Sequence, residues 1–495
     1  MMTWGEMILL VVYGAMLLFI LAYSIVQGTL IYAYVKSGKR KRTHPDSPTQ
    51  WPSVTVQLPV YNERYVVERL IHAVAAFDYP KNKLEIQILD DSTDDTTRII
   101  EQTIMPYVNN GINICHIRRE ERTGFKAGAL AYGTTIASGE FIAIFDADFV
   151  PATNFLKQTI PYFSNEQVGM VQSRWEHINK KYSLLTRLQA FGLNAHFTIE
   201  QTGRNAGSHF INFNGTGGIW RKSCILDSGG WSSDTLTEDL DLSYRAQFRG
   251  WKFIYLEDVT SPAELPATMD ALKSQQFRWT KGAAETARLN VKKVLSASQL
   301  ERSTRINALF HLMNSFLFVC ILGTAILSIP LLYIKNQHET PPFVYNLAGV
   351  FAISLCILAA YYFISFKKTD TRSWWNFPSQ FILFLSISMG MSLHNSIAVL
   401  EGLVGRKSPF IRTPKFNLNA SDKTITANRY VATRVSPVTV AELILSVYFM
   451  SGIFIGFRVS DLGLLPYHVM LAFGFASVGT YTVWHAVKAR RGGSR

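Results

Sequence analysis

Asp146 and Asp148 stand two residues apart, directly behind the apolar run Phe141-Ile-Ala-Ile-Phe145. If that run is a strand and continues, both carboxylates project to one face. Two carboxylates that close repel unless a cation bridges them, and a hard divalent ion, Mg2+ or Mn2+, takes carboxylate and phosphate oxygens together. A lone D-x-D also fits a solvated turn. Its place behind a buried strand, with Asp90-Asp91 behind another, favours the metal. Thr237-Glu238-Asp239 is a third acidic cluster, ahead of the helical stretch Leu240–Phe248. Thr and Asp are good helix caps, and taken alone the cluster reads as a capping motif. Cys115, Cys224, Cys320 and Cys356 show no C-x-x-C spacing, which argues against a zinc site or a disulfide framework.

These side chains need a scaffold that brings them together. Ser53–Pro59 is a β-branched alternating run, Leu84–Leu89 alternates with period two, and Phe141–Phe145 is continuously apolar. Tyr65–Phe77 and Thr96–Asn109 read as the helices between them. Strand and helix in alternation predict an α/β domain with a parallel sheet, whose ligands bind beyond the carboxyl ends of the strands. Asp91, Asp146 and Asp148 all follow such ends. Tyr182–Gln201 and Met269–Ala287 are amphipathic and fit either helices at a membrane surface or ordinary core helices.

The chain of 495 residues is 48% hydrophobic and only 17% charged, against about 25% charged in soluble proteins. Disorder, a collagen-like fibre and a small disulfide scaffold are excluded. The average hides a seam. Met7–Tyr34 is longer than the ~20 residues a helix needs to cross a bilayer, and a basic flank, Lys36 to Arg42, follows it. This reads as an uncleaved anchor with its basic end in the cytoplasm. Residues 43–305 carry no long apolar run. Ile306–Ile334, Phe343–Phe366, Phe377–Val399, Val438–Phe457 and Leu464–Val487 are each long enough to cross. Phe377–Val399 has basic loops on both sides: Lys367, Lys368 and Arg372 before it, and Arg406, Lys407, Arg412, Lys415, Lys423, Arg429 and Arg434 after it. Either it is re-entrant or interfacial, or one loop departs from the positive-inside bias. Five or six spans are expected. The net charge of +13 sits on these flanks and forms no nucleic-acid stripe with interleaved aromatics.

Five motifs then occur in a fixed order: Asp90-Asp91-Ser92, Lys126-Ala-Gly128, Asp146-Ala-Asp148, Thr237-Glu238-Asp239 and Gln275-Gln-Phe-Arg278-Trp279. Together they resemble the signature of processive family-2 glycosyltransferases of the cellulose synthase superfamily. Gln87–Asp94, Ala143–Phe149, Phe213–Thr216 and Gly250–Tyr255 look closest to the cellulose-synthase-like A and C branches, the mannan and glucan synthases. Asn214-Gly-Thr216 departs from the Cys-Gly-Ser of many cellulose synthases and leaves the sugar open. Phe410-Ile-Arg-Thr-Pro-Lys415 resembles the gating loop of bacterial cellulose synthase, with Arg412 in place of Val; an anionic-lipid patch is the other reading of this basic loop.

The resemblance implies a GT-A-type, Rossmann-like cytoplasmic domain over residues 43–305, between an anchor at 1–42 and a helical membrane region at 306–495 whose loop 401–437 reaches the site. It implies Asp239 as general base. Asp91, Lys126, Asp146, Arg278, Thr413 and Lys415 would bind the nucleotide sugar, UDP-glucose or GDP-mannose. Trp279, Gln275, Asn214 and Glu238 would bind the acceptor, and Asp148 with Asp146 would bind Mg2+ or Mn2+. One base and no nucleophilic side chain make the reaction a single displacement that inverts the anomeric centre. The expected product is a β-glucan or mannan passed across a bacterial inner or plasma membrane. Membrane lipids and accessory export proteins are the further partners, and nucleic acid is not. A non-processive transferase acting on a lipid, and a transporter with a degenerate transferase domain, are the rivals. Intact Asp146, Asp148 and Asp239 argue against the second.

Overall fold

The computed structural model describes residues 2–38, 45–338, 342–370, 373–408, 412–418 and 435–492. Seven strands form one sheet: Val54–Val60 (β1), Leu84–Asp90 (β2), Ile114–Arg118 (β3), Phe141–Ile144 (β4), Val168–His177 (β5), Gly218–Arg221 (β6) and Lys252–Ala263 (β7), in the order β3-β2-β1-β4-β6-β5-β7. The three expected strands are β1, β2 and β4. They pair in parallel, and β4 is buried along its whole length, as the centre of a sheet covered on both faces must be. Apolar clusters line both faces: Val56, Leu58, Ile86 and Ala143 on one, Ile142, Ile144, Met170 and Trp220 on the other.

A wholly parallel sheet is not what the chain forms. β6 runs antiparallel to both β4 and β5. Gly215 and Gly217, at φ +78° and +67°, turn the chain just before β6, a conformation that only glycine adopts freely. This hairpin-like reversal places Asn214–Thr216 beside the end of β4, and Thr216 Oγ1 accepts the Asp146 amide at 2.8 Å.

Two long helical stretches sit between the sheet and the apolar helices. The first comprises Leu184–Ala195, a π-helical turn at His196–Gln201, and Thr202–Ala206. It packs on the N-terminal helix Trp4–Ser37 and on Pro342–Thr369, where Phe191 stacks on Tyr362 with ring centroids 5.0 Å apart. The second, Met269–Ser296, packs along Ser392–Leu403. Its Lys281 Nζ bonds Glu401 at 2.9 Å, and its Lys273 Nζ reaches Glu442 at 2.6 Å.

Among the described residues four helices are long and apolar enough to cross a membrane: Trp4–Ser37, Phe316–Gln337, Ala352–Thr369 and Pro437–Arg458. A bent pair, Trp374–Gly390 with Ser392–Leu403, makes a fifth if it counts as one span. Its 49° bend falls in the segment whose basic loops conflict. The expected span Ile306–Ile334 is divided. Arg302–Leu312 is a separate helix whose Ala308 and Leu312 pack against Phe210 and Tyr244 of the sheet domain, and the crossing helix begins at Phe316. Leu465–Gly492 covers the expected last span and lies along Pro437–Arg458, but its composition does not place it among the four. Lys39–Arg42, Arg372, Lys423, Arg429 and Arg434 lie outside the described residues, as do Phe410 and Ile411 of the loop motif.

Candidate active site

One cavity lies beyond the carboxyl ends of β1, β2 and β4. All twelve site residues expected from sequence line it: Asp91, Lys126, Asp146, Asp148, Asn214, Glu238, Asp239, Gln275, Arg278, Trp279, Thr413 and Lys415. They come from seven stretches of chain spread over more than three hundred residues, and the sheet order is what joins them.

Each aspartate of the D-x-D pair meets its own lysine. Asp146 Oδ1 is 2.6 Å from Lys126 Nζ, which leads from the first turn of helix Phe125–Ile136 and also donates to the Gly215 carbonyl at 2.8 Å. Burial, the largest influence on Lys126, works against its charge. Asp146, Glu238 and Asp239 outweigh it and hold the ammonium above its ordinary range. Asp148 Oδ2 is 2.7 Å from Lys415 Nζ, which donates as well to the Glu264 carbonyl. Lys415 arrives on segment 412–418, anchored across the cavity by long-range bonds. Glu264 accepts the Phe416 amide at 2.8 Å, Arg412 Nε donates to Glu63 Oε1 at 2.8 Å, and Asn417 Oδ1 accepts from Arg69 at 2.8 Å. Thr413 Oγ1 is buried with no hydrogen-bond partner among the described residues.

Asp239 lies in the first turn of helix Glu238–Phe248 and does not cap it; the position before the helix is Thr237. Its Oδ1 accepts the Leu240 amide at 2.8 Å. Burial and the neighbouring Glu238 push its pKa up to about 7, while Lys126 opposes the rise. A carboxylate of that basicity takes a proton near neutral pH far better than an ordinary aspartate. A Cβ at Gly215 would stand 2.9 Å from Asp239 Oδ2, so the loop that carries Asn214 passes directly against this carboxylate.

The far wall is aromatic and neutral. Trp175 and Trp279 lie with ring centroids 6.2 Å apart, and Phe149 and Phe197 back Trp175 at 5.3 and 5.1 Å. Trp faces of this kind stack on the apolar side of a sugar ring. His177, held by burial at about 4 and therefore neutral, also lines the cavity. Burial weighs against the charge of Arg278, and Asp146, Glu238, Asp239 and Asp148 all favour it. The guanidinium thus sits within reach of the whole acidic cluster.

Several partners escape a reading of the sequence. Arg119 grips both oxygens of Asp91, and Arg122 stacks 3.4 Å over the Tyr61 ring. Glu63 and Glu264 hold segment 412–418. Only the Arg119–Asp91 pair leaves a local trace, since β3 is the strand next to β2 and ends near Arg119. Arg412 and Glu63 are 349 residues apart.

Residues 52–282 match a family described as Glycosyltransferase like family 2. The chain is 39% identical to glucomannan 4-beta-mannosyltransferase 7 of Arabidopsis thaliana over 311 residues, 59% of this chain and 54% of that one. It is 32% identical over 462 residues to glucomannan 4-beta-mannosyltransferase 9 of the same plant, covering 88% of this chain and 82% of the relative. The chain thus spans about half the length of the former and most of the latter. In fold it is similar to a mannosyltransferase from Pyrobaculum calidifontis solved with GDP-Man and Mn2+, with a TM-score of 0.56 at 18% identity over 80% of this chain and all of that one.

Proposed function

This chain belongs to the family-2-like glycosyltransferases, and from that premise we propose that it is a membrane-embedded, inverting β-mannosyltransferase. Mannose moves from GDP-mannose to the growing end of a β-linked mannan or glucomannan. The observation that carries the reading is Asp239: a carboxylate raised to about 7, set between the lysine-held acidic pair and an aromatic wall. The names of the plant relatives support mannose over glucose.

The acceptor hydroxyl gives its proton to Asp239 as its oxygen attacks the anomeric carbon. The bond from that carbon to the diphosphate breaks, GDP leaves, and an α-linked donor becomes a β-glycoside. Lys126, Arg278 and Lys415, which line the cavity, would meet the negative charge of the departing diphosphate. Trp279, backed by Trp175, holds the acceptor ring so that one hydroxyl faces Asp239. Asp91, fixed by Arg119, borders the nucleotide end.

The donor set fits a divalent cation. Among the described residues no three His, Cys, Asp or Glu side chains form a closed cage, but Mg2+ and Mn2+ are commonly bound by one or two carboxylates completed by substrate phosphates. Asp146 and Asp148 provide the two carboxylates. Such an ion, when bound, neutralises charge on the leaving diphosphate.

The apolar helices anchor the enzyme in a membrane. The basic ends at Lys36, Lys367 and Lys368 support a cytoplasmic position for the sheet domain, and the polymer would leave through the helices beneath Trp279. The test is purified enzyme offered GDP-mannose and UDP-glucose separately, with linkage analysis of the product. A β-1,4-mannan made from GDP-mannose is expected. Transfer from UDP-glucose alone would overturn the sugar, and a lipid carrying one sugar would overturn processivity.

A further inference from the structure

Asn214 lines the cavity beside Asp239, and the orientation of its amide can be deduced from its surroundings. Gln201 Nε2 lies 3.1 Å from the Asn212 carbonyl oxygen. A carbonyl accepts only, so that corner of Gln201 is the NH2 group. The same Nε2 lies 3.3 Å from the Asn214 side chain, which must present its oxygen there. Asn212 gives the same answer independently. Its Nδ2 donates to the Phe213 carbonyl at 3.2 Å and lies 2.9 Å from the same Asn214 oxygen. Two donors anchored on backbone carbonyls thus converge on Asn214 Oδ1. Its Nδ2 is left buried with no partner among the described residues, and a buried donor without a partner costs stability unless a ligand satisfies it.

We infer that Gln201 and Asn212 are positioning residues for glycan recognition. They hold the Asn214 oxygen, so that its buried NH2, without a partner among the described residues, is the group that donates to an oxygen of the acceptor's terminal sugar when the cavity is filled. The ligand class follows from the chemistry: an uncharged donor next to the basic Asp239 suits a neutral hydroxyl or ring oxygen and not a phosphate. The inference rests on the glycosyltransferase reading given above.

The π-helical turn is what makes this contact. His196–Gln201 ends on Gln201, and π-bulges carry one extra residue and cluster at functional sites. Without that residue Gln201 would be turned by roughly 100° about the axis. The turn is fastened on its other side. Glu200 pairs with His196 at 2.8 Å and with Arg204 at 2.7 Å, and Arg204 donates to the Asn307 carbonyl at 3.3 Å. Leu30 of the N-terminal helix packs against Gly203 in the next turn. The acceptor-facing amide is therefore set by a helix wedged between the sheet and the apolar helices.

The experiment uses full-length enzyme with GDP-mannose as donor and β-1,4-mannotetraose as acceptor. Gln201→Met fills the same space without donating, and Asn214→Asp removes the NH2 itself. Each is expected to raise the KM for mannotetraose about tenfold, far more than it raises the KM for GDP-mannose. The double variant is expected to be no worse than Asn214→Asp alone, because both act through one contact. An unchanged acceptor KM, or equal losses toward donor and acceptor, overturns the inference. If Gln201→Met does not fold, Asn214→Asp and Asn212→Ala decide on the same readout. Wild-type enzyme that releases no GDP from GDP-mannose would instead overturn the parent reading of the site.

Discussion

The two sides of the cavity are built from different materials. On one side full charges face each other: Asp146 with Lys126, Asp148 with Lys415, Glu63 with Arg412. On the other stand Trp175, Trp279, a neutral His177 and the Asn214 amide. The difference mirrors the two substrates of the proposed reaction. A nucleoside diphosphate is an anion whose charge grows at one oxygen as the bond breaks, and only cations held in place meet it without delay. A sugar chain has no charge, so ring stacking and fixed hydrogen-bond donors must recognise it. Asp239 belongs to both sides, since it is a carboxylate whose charge burial and Glu238 have made costly.

Perturbing each side separately tests that division. The largest effect expected is from chelation: EDTA should take GDP release from GDP-mannose to background, with recovery on adding Mn2+ or Mg2+, and full activity in excess chelator would remove the cation from the charged side. Asp239→Asn should lower transfer by about a thousandfold while GDP-mannose still binds, measured by titration calorimetry; unimpaired synthesis would exclude it as the base. Lys415→Met should raise the KM for GDP-mannose by about tenfold and leave that for mannotetraose alone. The pH profile comes next. A base must be ionised, so kcat/KM should fall about tenfold per unit below pH 7, and Glu238→Gln should move that limb to lower pH by removing the neighbouring negative charge. A limb near pH 4 in the wild type would show that burial does not tune Asp239. Smallest of all, Trp279→Ala should raise only the acceptor KM, by several-fold.

The charged side is largely legible in the sequence. Asp146 and Asp148 follow a short apolar run that reads as a buried strand, and Lys126 and Asp239 sit in motifs with an order of their own. The helix Thr96–Asn109 is found with the bounds its periodicity predicts. The neutral side is legible only in part. Gln275, Trp279 and Asn214 stand in motifs, but Trp175, His177 and Gln201 carry no local mark. Their roles come from the antiparallel turn at β6 and from a π-helical turn that a hydrophobic period does not reveal. The membrane part departs from its pattern in a related way. Ile306–Ile334 reads as one crossing segment, yet the chain breaks at Met313–Ser315, after Ala308 and Leu312 pack against the sheet domain.

Hydropathy and period belong to neighbours along the chain, so the sequence alone determined β1, β2 and β4, the long apolar stretches and the acidic clusters behind β2 and β4. Which groups share a cavity depends on contacts between residues far apart. Lys415 reaches Asp148 across 267 positions and Arg412 reaches Glu63 across 349. No local property encodes such a pairing. It forms because burying either charge alone would cost more than burying the two together, and only the folded chain brings both to the same place.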